Sequence, residues 1–291
     1  MTGGGGSLPV VLVPVGVDDA ALDACLAALD AATPAETRVW LIDDAQAGPR
    51  GVEIVQRWLR STPLRADYTR RPRMAGEVRH LDEALRACGD ADVAVLAGDA
   101  LPAPGWLPQL AACFARDASI GSATPWCNAG ESAGWPRVDP QSPPDDLASL
   151  AHAAATLPPV HPELPAAVEH AVLLRGSARA KAGGLDAASY ASWYAALTDL
   201  SLRMSGMGWR NALCETAFVA RLREGVPAEG DMDALAVRWP DWNARIAGFL
   251  MHDPLRGLRD ELGRRLQARD GDAPQRQLFP PPPAGEGAEG G

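Results

Sequence analysis

The sequence lacks paired cysteines and any recognisable metal-ligand spacing. Cys25, Cys88, Cys113, Cys127 and Cys214 are scattered, odd in number and never arranged as C-x-x-C. That pattern argues against a disulfide framework and reads as reduced thiols in a cytosolic protein. The five histidines show no H-x-x-x-H spacing, which argues against an all-protein zinc site. Positive charge is also scarce, with 27 Lys and Arg against 37 Asp and Glu and a formal net charge of −10. A nucleic-acid binder would carry a basic face to meet phosphates, so that class is set aside.

Long apolar runs are missing too. The start, MTGGGGS, has no basic region, and the run Leu8 to Val17 is broken by two prolines before Asp18-Asp19. The sequence therefore predicts neither a signal peptide nor a transmembrane segment. The expected location is the cytoplasm, with a peripheral place at the inner face of a membrane left open. The glycine run Gly3 to Gly6 precedes the first apolar run, so it is not a phosphate loop between strand and helix. Neither G-x-S-x-G nor G-x-x-x-x-G-K-S/T occurs, and no internal repeat is found.

What is present is a chain of 291 residues with 47% hydrophobic and 22% charged residues, a normal globular balance with length for a sizeable core. Leu8 to Val17 reads as a buried strand followed by a turn. The next helix is capped by Asp18 or Asp19 and carries Ala21, Leu22, Cys25, Leu26 and Leu29 on one face. A second strand ends at Asp43-Asp44. A helix over 52–59, a short strand over 64–68, a helix over 76–88 and a strand over 92–97 follow. Strands alternating with helices of this length predict a parallel sheet covered on both faces. In such sheets ligands sit beyond the carboxyl ends of the strands, where Asp43, Asp44 and Asp99 fall.

Beyond a helix over 104–116 and a strand over 118–128, the Pro- and Ser-rich region 129–165 reads as a long loop with one short helix over 147–156. Further on come a strand and short helix stopped at Gly183-Gly184, a helix from Trp193 stopped by Gly206 and Gly208, and a strand over 211–219. The segment 231–269 reads as helical with a break at Pro240, and the tail 270–291, with PPPP and Gly/Glu repeats, as disordered.

The order of several motifs resembles the family 2 glycosyltransferases of the GT-A fold, in particular a bacterial rhamnosyltransferase-like branch. LIDDAQ resembles the family's V-D-D-x-S strand end. VLAGDALPAPGWLPQLAACFARDASIGSATPWCNAG is similar to its D-x-D, P-x-W-L helix and I-G…P-x-x-N stretch. LLRGSARAKAGGLDAASY and LTDLSLRMSGMGWRNALCETAFVAR resemble its G-G-F-D segment and its E-D/E-x-D helix. The likeness covers about Leu8 to Glu224.

That resemblance implies an α/β GT-A fold: a mostly parallel central sheet with helices on both faces. The domain would span 8–230, with a donor half over about 8–125 and an acceptor half over 126–230. A helical extension over 231–269 and the tail over 270–291 would follow.

The implied activity is transfer of a sugar from a nucleotide-sugar donor to a glycan or lipid-linked hydroxyl acceptor, in surface glycan or polysaccharide synthesis. Asp44, with Asp43 beside it, would hold the donor nucleoside, although both also read as turn residues capping backbone amides. Asp99 would bind the donor and ligate a divalent cation, Mg or Mn, which offsets the charge that develops on the leaving diphosphate. Asp199 is the last acid of the helix motif and the catalytic candidate, and it reads equally as an i, i+4 partner of Arg203. Arg71, in the cluster Arg70-Arg71-Arg73, could grip phosphates, or lie in a solvated basic loop. Trp193 and Trp209 could stack on sugar rings or fill the core.

Four positions depart from the family pattern. Ala97 stands where the first D-x-D acid belongs, Ala196 and Leu197 stand where the helix acids belong, and Arg221 stands where a His would complete a metal site. These departures motivate a second expectation, a catalytically inactive GT-A module that binds or scaffolds an active partner glycosyltransferase.

Overall fold

The computed structural model describes residues 8–137 and 139–272. An eight-stranded mixed sheet runs through it in the order β3-β2-β1-β4-β7-β6-β8-β5. The strands are β1 Val10–Pro14, β2 Arg38–Asp43, β3 Arg65–Arg70, β4 Val93–Leu96, β5 Ala100–Pro102, β6 Ile120–Trp126, β7 Ala171–Leu174 and β8 Arg210–Arg221. The first half, β3-β2-β1-β4, is wholly parallel. The chain leaves β1 in one direction to build β2 and β3, then returns to place β4 on the other side of β1. That reversal opens a crevice at the carboxyl ends of β1 and β4.

Alternation along β1 decides which layer each side chain joins. Val11 and Val13 enter the core beneath α1 (Asp19–Ala32), α2 (Pro49–Leu59) and α4 (Trp106–Arg116). Leu12 enters the opposite core, beneath α3 (Glu77–Ala87), α6 (Gly176–Ala182) and α7 (Trp193–Gly206). Helix α1 starts where expected because Asp18 Oδ1 accepts from the Ala20 and Ala21 amides, both at 3.0 Å. Helix α2 begins three residues earlier than expected, with Pro49 at its first turn, a position where the missing N–H has no helical partner to lose.

The segment after Asp99, expected as a turn leading into α4, contains the short strand β5, which pairs antiparallel with the end of β8. Strand β7 runs antiparallel to both β4 and β6. Its start therefore lies beside the end of β4, and the Ala97 amide donates to the His170 carbonyl at 2.9 Å.

The long 129–165 segment carries α5 (Leu147–Ala155). Three further helices follow β8: α8 (Asp231–Arg238), α9 (Trp242–His252) and α10 (Arg256–Asp272). Pro240 falls between α8 and α9, as the sequence predicts. Helix α10 does not stand apart from the sheet. Leu255 and Leu262 are buried in a third apolar cluster with Trp126, Trp135 and Phe218, and Arg259 Nε donates to the Gly134 carbonyl at 2.6 Å. The expected disordered tail falls, from residue 273 on, outside the described residues. None of the described helices is long and apolar enough to cross a membrane.

Candidate active site

The crevice predicted by the sheet topology is a cleft of about 450 Å³. Three strand ends form its floor. Pro14 to Asp18 follow β1, Asp44 follows β2, and Ala97, Gly98 and Asp99 follow β4. The opposite wall comes from Glu77 and His80 of α3, Glu169 ahead of β7, Trp193 and Tyr194 at the start of α7, and Arg221 and Arg223 at the end of β8. Asp44 and Asp99, more than fifty residues apart in the chain, thus line one cavity.

The two neighbouring acids of β2 take different roles. Asp43 is fully buried. Its Oδ1 accepts from the Gln46 amide at 2.7 Å and the Ala47 amide at 3.2 Å, and its Oδ2 accepts from the Tyr68 hydroxyl at 2.7 Å. Arg70 adds an ion pair at 3.3 Å. Asp43 is thus the turn residue of the pair and does not line the cleft, so its expected donor contact gives way to a capping role.

Asp44 does line the cleft, with its carboxylate accepting from the Ala75 and Gly76 amides, each at 2.8 Å at its shorter contact. It holds the 75–76 turn against the floor. Arg71 stands behind the cavity wall and does not line it: it pairs with Glu83, donates from Nε to His80 Nδ1 at 2.9 Å and lies 4.0 Å from Asp44 Oδ1, so it braces two lining residues. The basic cluster Arg70-Arg71-Arg73 therefore contributes no side chain to the cleft, and the phosphate role expected of Arg71 is not supported by its position.

Asp199 also lies elsewhere. It is 0% exposed and is not among the residues lining the cleft. Oδ2 pairs with Arg203 Nε at 2.8 Å, while Oδ1 accepts from Trp239 Nε1 at 2.9 Å and faces Arg238 Nε at 3.2 Å. Asp199 thus sits as the i, i+4 partner of Arg203, away from the cleft that Asp44 and Asp99 line. Ala196 and Leu197 are buried as well; only the first turn of α7 reaches the cavity.

Gly98 also has a local explanation. A Cβ there would lie 2.5 Å from the Pro14 carbonyl oxygen; the close approach of β1, rather than a ligand, excludes a side chain.

Around Asp99 the structure assembles charges that the sequence did not bring together. Pairing of β5 with β8 places Arg221 opposite Ala100. Arg221 Nη1 pairs with Glu169, and Nη2 lies 3.5 Å from Asp99 Oδ1. Asp99 Oδ2 accepts from the Arg223 amide at 3.1 Å, and the Arg223 side chain reaches across the mouth to pair with Asp18. Burial opposes the charge of Arg221, yet Glu169 and then Asp99 outweigh it and hold the guanidinium above its ordinary pKa. His170, behind this cluster, is driven down to about 3 by burial and by Arg221.

The donor set does not suit a divalent cation. Ala97 and Gly98 offer no side-chain ligand, a guanidinium stands next to Asp99, and among the described residues no three His, Cys, Asp or Glu side chains gather.

One carboxylate in the cavity is free to act as a base. Glu77 Oε2 accepts from the Trp193 amide at 2.9 Å. Although the residue still meets solvent, loss of hydration at the cavity wall raises its pKa; the Trp193 amide works in the other direction, while Asp231 and Glu169 add to the rise. Its only sequence signal was its place just after Gly76, at the start of a helix that follows a strand. Glu169 had none beyond charge ahead of an apolar run. The thiols are poor nucleophiles: burial pushes Cys25 and Cys127 up to about 12.

A family model described as glycosyl transferase family 2 matches residues 10–156, which spans β1 to α5 and includes the whole floor of the cleft. The chain belongs to glycosyl transferase family 2.

The search of curated proteins returns no match. Solved structures share the fold. GalNAc-T7 with UDP, GalNAc and Mn2+ is 14% identical, aligns over 89% of this chain and 55% of its own, and has a TM-score of 0.61. This family 2 chain thus spans little more than half of that protein. TarS 1-349 of S. aureus in complex with UDP-GlcNAc is 13% identical over 90% of this chain and 72% of its own, with a TM-score of 0.56. The mannosyltransferase PcManGT from Pyrobaculum calidifontis, in complex with GDP-Man and Mn2+, is 16% identical over 90% and 75%, with a TM-score of 0.54. Identities this low speak to the fold alone.

Proposed function

We propose that this family 2 protein transfers a sugar from a nucleotide-sugar donor to a hydroxyl acceptor in the cleft between the ends of β1, β2 and β4. The observation that carries this reading is the convergence of Asp44 and Asp99 on one cavity at the topological switch point. Asp44 holds the 75–76 turn as the nucleoside wall, and Asp99 lies where the donor diphosphate would pass. The motif order, rhamnosyltransferase-like, supports a glycan or lipid-linked acceptor of the kind used in surface polysaccharide synthesis.

Glu77 is the carboxylate best placed to activate the acceptor. It takes the proton of the acceptor hydroxyl as that oxygen bonds to the anomeric carbon. The bond from that carbon to the diphosphate breaks, and the diphosphate leaves with the electron pair. A base must be deprotonated to work, and Glu77 is held above the ordinary Glu range. Turnover therefore rises with pH through that raised pKa and levels off above it.

The test is donor hydrolysis and transfer with a panel of UDP-, GDP- and dTDP-sugars. Glu77→Gln is expected to lower kcat by about 10²–10⁴-fold and to remove the rising limb of the pH profile, with nucleotide affinity unchanged. A Glu77→Gln variant that keeps the wild-type rate removes Glu77 from the chemistry. A second reading, a binding module for an active glycosyltransferase, is favoured by the apolar Ala196 and Leu197, both buried where the helix acids belong. Nucleotide binding without turnover of any donor supports that reading over the first.

A further inference from the structure

The wall of the cleft offers a protein cation where a metal ion does not fit. We propose that the guanidinium of Arg221, pinned by Glu169, is the positive charge that receives the donor diphosphate, so that nucleotide binding needs no divalent cation. The inference rests on the reading of the cleft as a donor site.

Three features of the structure support it. First, Arg221 is fixed from one side only. Glu169 holds Nη1, and Gly225 closes over that contact so tightly that a Cβ there would overlap Glu169 Oε1. Glu169 is thus a positioning residue: it keeps the guanidinium charged and aims it.

Second, Nη2 remains available. Its acid neighbour is Asp99 Oδ1 at 3.5 Å, a distance and geometry that make no hydrogen bond, and Arg221 lines the cavity. The planar fork can therefore turn its outer N–H groups to a phosphate oxygen and form a charge-assisted hydrogen bond that Asp99 does not supply. Third, the Arg223 amide already points into the same space, onto Asp99 Oδ2 at 3.1 Å. While bonded to Asp99, its N–H dipole still adds positive potential next to Nη2.

This arrangement reverses the part played by Asp99. In a metal site its carboxylate would recruit the cation. Beside Arg221 it competes with the incoming phosphate for the same N–H groups. Removing its charge should therefore help binding rather than abolish it.

The experiment is calorimetric titration of the full chain with UDP, GDP and dTDP, in EDTA and in Mn2+. The best of the three nucleotides is expected to bind with a Kd that differs by less than about 3-fold between the two buffers. Asp99→Asn, whose amide oxygen still accepts from Arg223, is expected to bind as tightly or about 2- to 5-fold more tightly in EDTA. Arg221→Gln is expected to weaken binding by about 10-fold or more.

Binding seen only in Mn2+, or lost in Asp99→Asn, overturns the inference and leaves the donor site standing. Binding in EDTA that Arg221→Gln leaves unchanged removes Arg221 from the site. No binding by any of the three nucleotides in either buffer overturns the donor-site reading and the inference together. Where circular dichroism shows Arg221→Gln to be unfolded, the EDTA comparison and Asp99→Asn decide between these outcomes.

Discussion

Two ion clusters flank α7, and they differ in how completely their groups are used. At one, Asp199 is sealed among Arg203, Arg238 and Trp239, with both oxygens engaged. At the other, Arg221 sits between Glu169 and Asp99 with Nη2 unbonded and turned to a cavity. An acid buried among three cationic or N–H partners, away from any cavity, is part of the scaffold. A cation with unused donors at a cleft wall can change partners. The acid of the helix motif went to the first cluster, while the second joins two motif positions, Asp99 and Arg221, to Glu169, which no motif marked.

This contrast can be broken by experiment. The largest effect is expected from Asp199→Ala, which removes the buried acid shared by Arg203, Arg238 and Trp239; Arg203 keeps the Ala182 and Gly184 carbonyls and Arg238 keeps Asp186, so stability should fall by about 3 kcal/mol in chemical denaturation. UDP affinity of the folded fraction should not change. A variant with full stability and no UDP binding would exchange the roles of the two clusters.

Next is the response to acid, which belongs to the Arg221 side. His170 has a folded-state pKa of about 3, below its ordinary value of about 6.5. The unfolded chain therefore binds the extra proton between those values. Stability present above pH 6.5 is lost as pH falls toward 3, amounting to about 2 kcal/mol at pH 5. His170→Gln should flatten that dependence in thermal melts at pH 5 and pH 7; an unchanged slope would mean that the ring is protonated in the native state. The smallest effect is expected from Trp239→Phe. It removes one donor from Asp199 and leaves the two arginines, costing about 1 kcal/mol with the pH response intact.

Local pattern carried the fold well and the site less well. The alternation of apolar strands and amphipathic helices was readable because β1, β2 and β4 are largely buried on both faces and the helices between them each have one apolar stripe, whereas β3, at the sheet edge, stays mostly exposed. Strand β5 was not, because three residues holding a proline and an alanine carry no period. Asp44 and Asp99 were legible as acids at strand ends. Asp43 and Asp44 could not be told apart in sequence, since which one caps the turn depends on the pleat and on Tyr68. The surroundings of Asp199 were not legible because a motif match fixes a position on a helix and not what packs against it; Arg238, the last residue of α8, and Trp239 just after it arrive from far along the chain. Glu169 and Arg221 meet through tertiary pairing of β4 with β7 and β5 with β8, and Glu77 reaches the same cavity through the packing of α3 on the start of α7, relations that no local window contains.

The pair formed by Arg223 and Asp18 joins the segment after β8 to the first turn of α1 across the mouth of the cleft. Because both side chains reach water, dissolved ions screen their attraction. The doorway of the site is therefore tuned by the medium. In dilute buffer this tie across the mouth holds more firmly, and added salt loosens it.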